Sequence, residues 1–170
     1  FSSASAFNID VSSWDVSRVT TMAYMFNSAS SFSQTLCWDV TGIIITSMFS
    51  GITTQASTSS YAMSGTTQLR TAVTAWCTNS ANAEDNYGHI KCWDTSAVTD
   101  MSYLIYIYCG TSGSSFTRST FNEDLSLWDV SRVETMAYMF YQASSFNSDV
   151  SSWDVSRVET MAFMFYGASS

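Results

Sequence analysis

A 25-residue repeat dominates this sequence. Segment 121–145 reads FNEDLSLWDVSRVETMAYMFYQASS, segment 146–170 reads FNSDVSSWDVSRVETMAFMFYGASS, and segment 7–31 reads FNIDVSSWDVSRVTTMAYMFNSASS. A fixed period of this size indicates an array of stacked units, because one such unit cannot bury its apolar side chains alone. The repeat therefore predicts a solenoid in which neighbouring coils complete each other's core.

Each repeat divides into a strand-like half and a helix-like half. Alternation in 124–128 predicts short strands at 9–13, 123–127 and 148–152, each pairing in parallel with the next coil at about 4.8 Å. The S-x-x-E motifs at Ser131 and Ser156 and the apolar spacing after them predict capped helices near 18–26, 97–105, 132–140 and 157–165. The expected fold class is a right-handed α/β repeat solenoid, leucine-rich-repeat-like, with one short parallel strand and one short helix per coil.

The periodic apolar positions predict the core. Because these positions follow the strand and helix periods, packing explains the Trp and Met stripes better than a metal or cofactor box, and no cofactor is predicted. Asn8, Asn122 and Asn147 are expected to satisfy turn backbone between coils. The predicted core residues are Trp14, Trp93, Trp128, Trp153, Met136, Phe140, Met161 and Phe165.

The motif F-N-x-D-[VL]-S-x-W-D-V-S-x-V-x-x-M-x-x-M-F-x-x-A-S-S covers most of the chain. It resembles the repeat of BspA-like leucine-rich-repeat surface proteins, which occur in bacteria, including mycoplasma lipoproteins, and in microalgae and other protists. The resemblance implies an extracellular or cell-surface protein with a role in adhesion or surface structure. It carries over no catalytic residues.

The repeat is interrupted in mid-chain, which predicts two arrays. Residues 1–51 are expected to form the C-terminal part of a first solenoid, with the degenerate segment 32–51 as its closing coil. The aperiodic, Ser/Thr-rich segment 52–65 is interpreted as a linker. Residues 66–170 are expected to form the N-terminal cap and first coils of a second solenoid, with an amphipathic helix over 66–76 and a polar turn over 79–87. The chain begins and stops in mid-array, so a longer protein is expected.

Ten extra residues separate Trp93 from Trp128, and they fall near 106–118. Insertions in solenoids form loops on one face, often the binding face. Tyr106 and Tyr108 therefore mark a candidate binding loop, with Tyr141 as a further exposed aromatic candidate. The alternative is a passive surface loop.

The four cysteines form no C-x-x-C motif, and the single histidine, His89, has no second histidine beside it. Zinc is therefore not predicted, and no motif supports a Cys/His nucleophile. An even cysteine count in a surface protein favours disulfides, with three pairings open. Cys77 with Cys109 is favoured, because one follows the cap helix and the other opens the insertion. Cys37 and Cys92 would meet only if the two arrays stack coaxially.

Charge excludes some partners. The net charge is −8 with no basic stripe, which argues against nucleic acid. No apolar run is long enough to span a membrane. The Asp residues after each repeat Trp are expected to form a column of like charge, which Arg18, Arg132 and Arg157 or helix capping by the Asp side chains would offset, and no metal is predicted. The alternative is Ca²⁺ held by Asp129 and Asp154, although no EF-hand loop is present.

The sequence predicts a non-enzymatic extracellular structural protein that forms or decorates a surface filament, sheath or appendage. Its partners would be neighbouring copies, with 66–78 packed against 36–51 of the next block in a heterologous contact. The alternative is a cell-surface adhesin that recognises a glycan or a protein through the solenoid face. Solvent-facing aromatic residues concentrated on one face would favour this alternative.

Overall fold

The chain forms two compact units, Phe1–Ser60 and Tyr61–Ser170. The computed structural model describes residues 1–52, 61–110 and 117–169. Most of the predicted linker 52–65 lies outside these ranges. Its C-terminal end was predicted wrongly, because Tyr61–Ala62 forms a strand within the second unit.

The second unit opens with a small helical cap. Its first helix confirms the amphipathic prediction, with Leu69, Val73 and Trp76 buried. The predicted polar turn over 79–87 is instead a helix, because the Asn79 side chain accepts a hydrogen bond from the Asn82 N–H and caps it. The elements are β1 (Tyr61–Ala62), α1 (Thr66–Thr78), α2 (Ser80–Tyr87), a 3₁₀ helix (Ile90–Cys92), β2 (Trp93–Asp94), parallel to β1, and α3 (Leu104–Tyr108).

The repeats themselves contain turns rather than regular elements. The strands predicted at 9–13, 123–127 and 148–152 do not form, and the segments 18–26, 132–140 and 157–165 are turns instead of helices. Within the predicted helix 97–105, only the start of α3 is helical. Isolated parallel bridges join Thr21 to Ile44, Asp100 to Thr135, and Thr135 to Thr160. Neighbouring repeats therefore lie side by side in parallel.

The hydrogen bonds of 135–142 explain why no helix forms. Alternate backbone N–H groups donate to the next repeat instead of to the same segment, from Met136, Tyr138, Phe140 and Gln142 to the carbonyls of Thr160, Ala162, Met164 and Tyr166 at 2.8–3.0 Å. The N–H groups of Met139, Tyr141 and Ala143 close tight turns onto the residue three positions earlier. We call this segment and its counterparts the ladder segments: 21–28, 44–51, 100–107, 135–142 and 160–167.

Left-handed residues end each turn of the ladder segments. Tyr138 has a φ of 58° and Gln142 has a φ of 59°. Such residues stop a right-handed helix from propagating. Apolar spacing at i, i+3, i+4 and i+7 fits successive four-residue turns as well as a helix, so the periodicity alone could not separate the two. The equivalent left-handed positions are Tyr24, Ser28, Ser47, Gly51, Tyr103, Phe163 and Gly167.

Buried tryptophans form hydrogen bonds that link adjacent repeats. The indole Nε1 of Trp128 donates to the Ile90 carbonyl at 2.8 Å, and that of Trp153 donates to the Leu125 carbonyl at 3.1 Å. Trp93, Met136 and Phe140 are buried with them, as predicted. Each of the two indole N–H groups therefore has a hydrogen-bond acceptor inside the apolar core, which avoids the free-energy cost of burying an unpaired donor.

Three of the predicted core residues are exposed instead. Trp14, Met161 and Phe165 expose 46%, 41% and 46% of their surface, respectively. The prediction treated all repeats alike, but a core side chain is fully buried only when a repeat packs against it on each side. Trp14 stacks on Trp38, and Phe165 stacks on Phe140, so each ring is covered from one adjacent repeat.

Asparagines at the start of the repeats link neighbours through the backbone. The Asn122 Oδ1 accepts from the Asn147 N–H at 2.7 Å, and the Asn8 Oδ1 accepts from the Ser33 N–H at 2.9 Å. Both bonds span 25 residues. The predicted role of these side chains in satisfying turn backbone is confirmed.

We predict that Trp128→Ala lowers the free energy of unfolding by about 3–5 kcal/mol, because it empties a buried site and orphans the Ile90 carbonyl. Urea unfolding followed by fluorescence measures the change. Trp14→Ala, at the equivalent but half-exposed position, is the control and should cost at most about half as much. Equal losses of stability in the two variants would contradict the role of Trp128 in linking adjacent repeats.

We predict that Gln142→Gly raises the free energy of unfolding by about 0.5–1 kcal/mol, because it relieves a left-handed conformation that only glycine adopts without strain. Thermal or urea unfolding measures the gain. The control is Ala137→Gly in the same ladder segment, where φ is negative and glycine should cost about 0.5–1 kcal/mol. A loss of stability in both variants would contradict the turn geometry.

Candidate interaction surface

Six aromatic side chains form one surface on the second unit. They occupy the fourth and seventh positions of three consecutive ladder segments, and the three residues at the fourth position have a left-handed backbone conformation. We call this surface the aromatic face: Tyr103, Tyr106, Tyr138, Tyr141, Phe163 and Tyr166. Tyr103, Phe163 and Tyr166 are exposed by 38%, 56% and 58%, and the others are half-buried.

The rings of the aromatic face stand in two columns along the stack of repeats. Tyr138 lies between Tyr103, at 4.9 Å and 4° between ring planes, and Phe163, at 5.1 Å and 26°. In the second column Tyr141 stacks on Tyr166 at 5.1 Å and 10°, and Tyr106 meets Tyr141 edge-on at 4.8 Å. Because stacking covers many ring faces, the columns present mainly ring edges and hydroxyls.

The face is polar but almost uncharged. Within the described residues, none of its five tyrosine hydroxyls hydrogen-bonds to another protein group. The Arg118 guanidinium lies 4.7 Å from the centre of the Tyr106 ring and donates to the Tyr106 carbonyl at 3.0 Å. At the border of the aromatic face, the Arg70 guanidinium forms an ion pair with the Asp100 carboxylate at an N–O distance of 2.9 Å. With no partner among the described residues, these hydroxyls can form hydrogen bonds to an external partner.

The structure separates the two tyrosines of the predicted binding loop. Tyr106 belongs to the aromatic face, as does Tyr141, whereas Tyr108 is half-buried and lies under Arg70 at 5.6 Å. Residues 111–116 of the insertion lie outside the described residues. Sequence reasoning missed Tyr103, Tyr138, Phe163 and Tyr166. Their recurrence at the fourth and seventh positions of the ladder segments was the available signal, but the helix prediction obscured it.

The Asp residues that follow each repeat Trp cap turns. Asp129 Oδ1 accepts from the Ser131 N–H at 2.9 Å, and Asp154 Oδ1 accepts from the Ser156 N–H at 3.0 Å. The predicted capping boxes are therefore wrong: no helix follows, and the Glu134 N–H donates to the Thr99 carbonyl of the preceding repeat. No cluster of three or more metal-ligating side chains occurs in the part of the chain that the structure describes.

The same turns depress the pKa of these carboxyls. The Ser131 hydroxyl and N–H lower the pKa of Asp129 below its ordinary value of 3.8, while the nearby Asp154 charge opposes the shift. The Ser156 hydroxyl and N–H lower the pKa of Asp154 in the same way. The carboxylates thus act as charged hydrogen-bond acceptors for the protein's own backbone.

Cysteine chemistry is structural. Cys77 of α1 is disulfide-bonded to Cys109, the pair favoured from the sequence, with a Cα–Cα distance of 5.2 Å. No cysteine is a free thiol, Cys37 and Cys92 included. His89 packs edge-on against Trp76 at 5.1 Å, and burial, with help from the Lys91 charge, lowers the pKa of this imidazole.

The first unit carries a cleft of about 510 Å³ beside Trp14 and Trp38. Its acidic lining residues are Asp15 and Asp39, and each carboxylate already accepts the N–H of the residue two positions on. Among the described residues, no basic side chain lines this cleft.

A family model described as "Mycoplasma protein of unknown function, DUF285" matches residues 1–63 and 77–170. No curated protein and no solved structure matches the chain significantly. No helix among the described residues is long and apolar enough to cross a membrane.

We predict that the contribution of Asp129 to stability disappears in acid. Because its folded pKa is depressed, the contribution is complete above the ordinary value of 3.8 and is lost as pH falls through the lower folded value. Urea unfolding at neutral pH and below about pH 3 measures the change.

Asp129→Asn is the control for this prediction, because the amide oxygen keeps an acceptor but does not titrate. The stability difference between the wild-type protein and Asp129→Asn should shrink in acid. Asp129→Ala should be less stable to unfolding than Asp129→Asn at every pH. A difference between the wild-type protein and Asp129→Asn that does not change with pH would contradict the role of the charge.

Proposed function

Because the chain belongs to the DUF285 family, whose function is unknown, we propose its role from its own surface: a non-enzymatic, extracellular binding module built on a repeat solenoid. In this proposal the aromatic face contacts a glycan or a protein at the cell surface. The observation that carries the proposal is the concentration of six exposed or half-exposed aromatic side chains on one face of three consecutive repeats.

Backbone conformation supports a role for these rings. A non-glycine residue in the left-handed region costs about 1–2 kcal/mol, and the fourth ladder position holds Tyr24, Tyr103, Tyr138 and Phe163 in that region. Stacked pairs contribute about 0.5–1.5 kcal/mol each, which offsets the strain at Tyr138. Among the described residues Tyr24 has no stacked partner, because its counterpart in the next repeat is Ser47.

The chemistry of the face favours an uncharged partner. Tyrosine provides a large contact area with little loss of side-chain entropy, and binding surfaces are enriched in it. Rings held by a backbone ladder and by each other are already ordered, which lowers the entropic cost of binding. Because the six side chains that form the face carry no charged group, and Arg118 is the charge that lies on one of its rings, we expect the affinity to depend only weakly on salt.

Two features support the extracellular placement. All four cysteines are oxidised, which is typical of proteins in oxidising environments. The repeat also resembles those of surface proteins. Charged residues make up only 12% of the chain, and Ser and Thr supply much of the remaining polarity.

A structural role in a filament, sheath or appendage is the second candidate. The observation that favours it is that segment 135–142 bonds to both neighbouring segments, through Met101 on one side and Thr160 on the other. Such a ladder accepts further repeats without a change in geometry. The contact of 66–78 with 36–51 of a neighbouring block remains a prediction, and electron microscopy of native material tests it.

We predict that the double variant Tyr138→Ala/Tyr141→Ala weakens binding by about 30-fold or more, as expected when central aromatic contacts are removed. The measurement is binding of the purified chain to an array of neutral and acidic glycans and to immobilised extracellular proteins, at low and high salt.

Tyr24→Ala is the matched control, since it removes an exposed tyrosine from the same repeat position outside the aromatic face. It should bind like the wild-type protein, and the intact Cys77–Cys109 disulfide and unfolding midpoint should show that all variants are folded. Equal loss in both variants, or no binding to any probe, would overturn the binding role.

A further inference from the structure

We propose that the stacked pairs Tyr103–Tyr138 and Tyr141–Tyr166 are sites of oxidative coupling, at which dityrosine bonds join adjacent repeats. The proposal requires an external oxidant and therefore relies on the extracellular placement for its biological setting. It does not require the aromatic face to bind a partner. It adds a covalent modification to a surface that otherwise acts through non-covalent contacts.

Geometry favours these two pairs. Their ring centres lie 4.9 Å and 5.1 Å apart, with planes inclined by 4° and 10°. The backbone holds each pair in register, because the Tyr103 N–H donates to the Ala137 carbonyl at 2.9 Å and the Gln142 N–H donates to the Tyr166 carbonyl at 2.8 Å. Side-chain rotation alone can therefore bring the carbons next to the hydroxyls into contact.

The rings are accessible to an oxidant. Tyr103 and Tyr166 expose 38% and 58% of their surface. Among the described residues, their hydroxyls make no hydrogen bond to another protein group. Each pair also joins two different repeats, so one coupling event bridges a ladder step.

The chemistry balances with hydrogen peroxide as the oxidant and a haem peroxidase as its catalyst. Each tyrosine loses the hydrogen atom of its hydroxyl, as one electron and one proton, and becomes a phenoxyl radical. The two radicals form a carbon–carbon bond between ring carbons adjacent to the oxygens. Proton shifts from those carbons restore both hydroxyls. Two hydrogen atoms leave the protein, and one peroxide is reduced to two waters.

Pre-stacking makes the reaction intramolecular. Groups held on one folded scaffold have effective concentrations of about millimolar or more, so at micromolar protein they should couple about a thousandfold faster than tyrosines of different molecules. The bonds would close loops across 35 residues for Tyr103–Tyr138 and 25 for Tyr141–Tyr166. Such loops restrict the unfolded chain, as disulfides do, and should raise the denaturant midpoint of unfolding.

The test treats the purified full chain at micromolar concentration with a haem peroxidase and hydrogen peroxide. Dityrosine fluorescence gives the yield, and mass spectrometry of tryptic peptides gives the pairs. Arg118 separates Tyr103 from Tyr138 in sequence, and Arg157 separates Tyr141 from Tyr166, so both cross-links join two peptides. We expect these pairs to dominate, with a yield per molecule that does not change on dilution.

The double variant Tyr103→Phe/Tyr141→Phe keeps every ring but leaves the remaining tyrosines of the face without a tyrosine neighbour in either column. We expect intramolecular dityrosine to fall to the background of the unfolded protein. The control Tyr24→Phe/Tyr108→Phe removes the same number of tyrosines outside the aromatic face and should retain the wild-type yield. Cross-links whose yield rises with protein concentration, or an equal yield in both double variants, would overturn the proposal.

Discussion

Backbone hydrogen bonding between adjacent repeats is the interaction on which the rest of the structure depends. Apart from α3, which occupies the C-terminal part of segment 100–107, the ladder segments form neither helix nor continuous strand, so about half of their N–H groups have no partner within their own repeat. They donate instead to the next repeat, as the Met136 N–H does to Thr160 and the Phe140 N–H does to Met164. Buried amides require such partners, and a repeat is therefore satisfied only beside another.

The same ladder determines the surface. Because each segment lies one backbone spacing from the next, side chains at equivalent positions are brought into columns. Inside, this register places Trp128 over Trp93 at 6.1 Å and aligns its indole N–H with the Ile90 carbonyl. Outside, it stacks Tyr138 on Tyr103 and Tyr166 on Tyr141. Core packing and the aromatic face are thus two consequences of one register.

The two units show how small sequence changes alter that surface without altering the ladder. In the first unit the segments 21–28 and 44–51 keep the alternating hydrogen bonds and the left-handed residues. Ser47 and Ser50 replace the aromatic residues, however, so Tyr24 remains unstacked and 54% exposed. The interface between repeats therefore tolerates change at outward positions, where surface chemistry can vary independently of folding.

The sequence by itself determined the period, the side chains that form most of the core, the cap helix α1 and the turn role of the asparagines, because these depend on patterns local to one repeat or repeated at a fixed interval. Tertiary structure alone decided that segment 135–142 forms turns, because an apolar spacing of three and four residues fits both a helix and successive turns. It also decided which tyrosines stack and which core positions stay exposed, as Trp14 does. Both outcomes depend on what the neighbouring repeat places opposite each side chain, which no single repeat encodes.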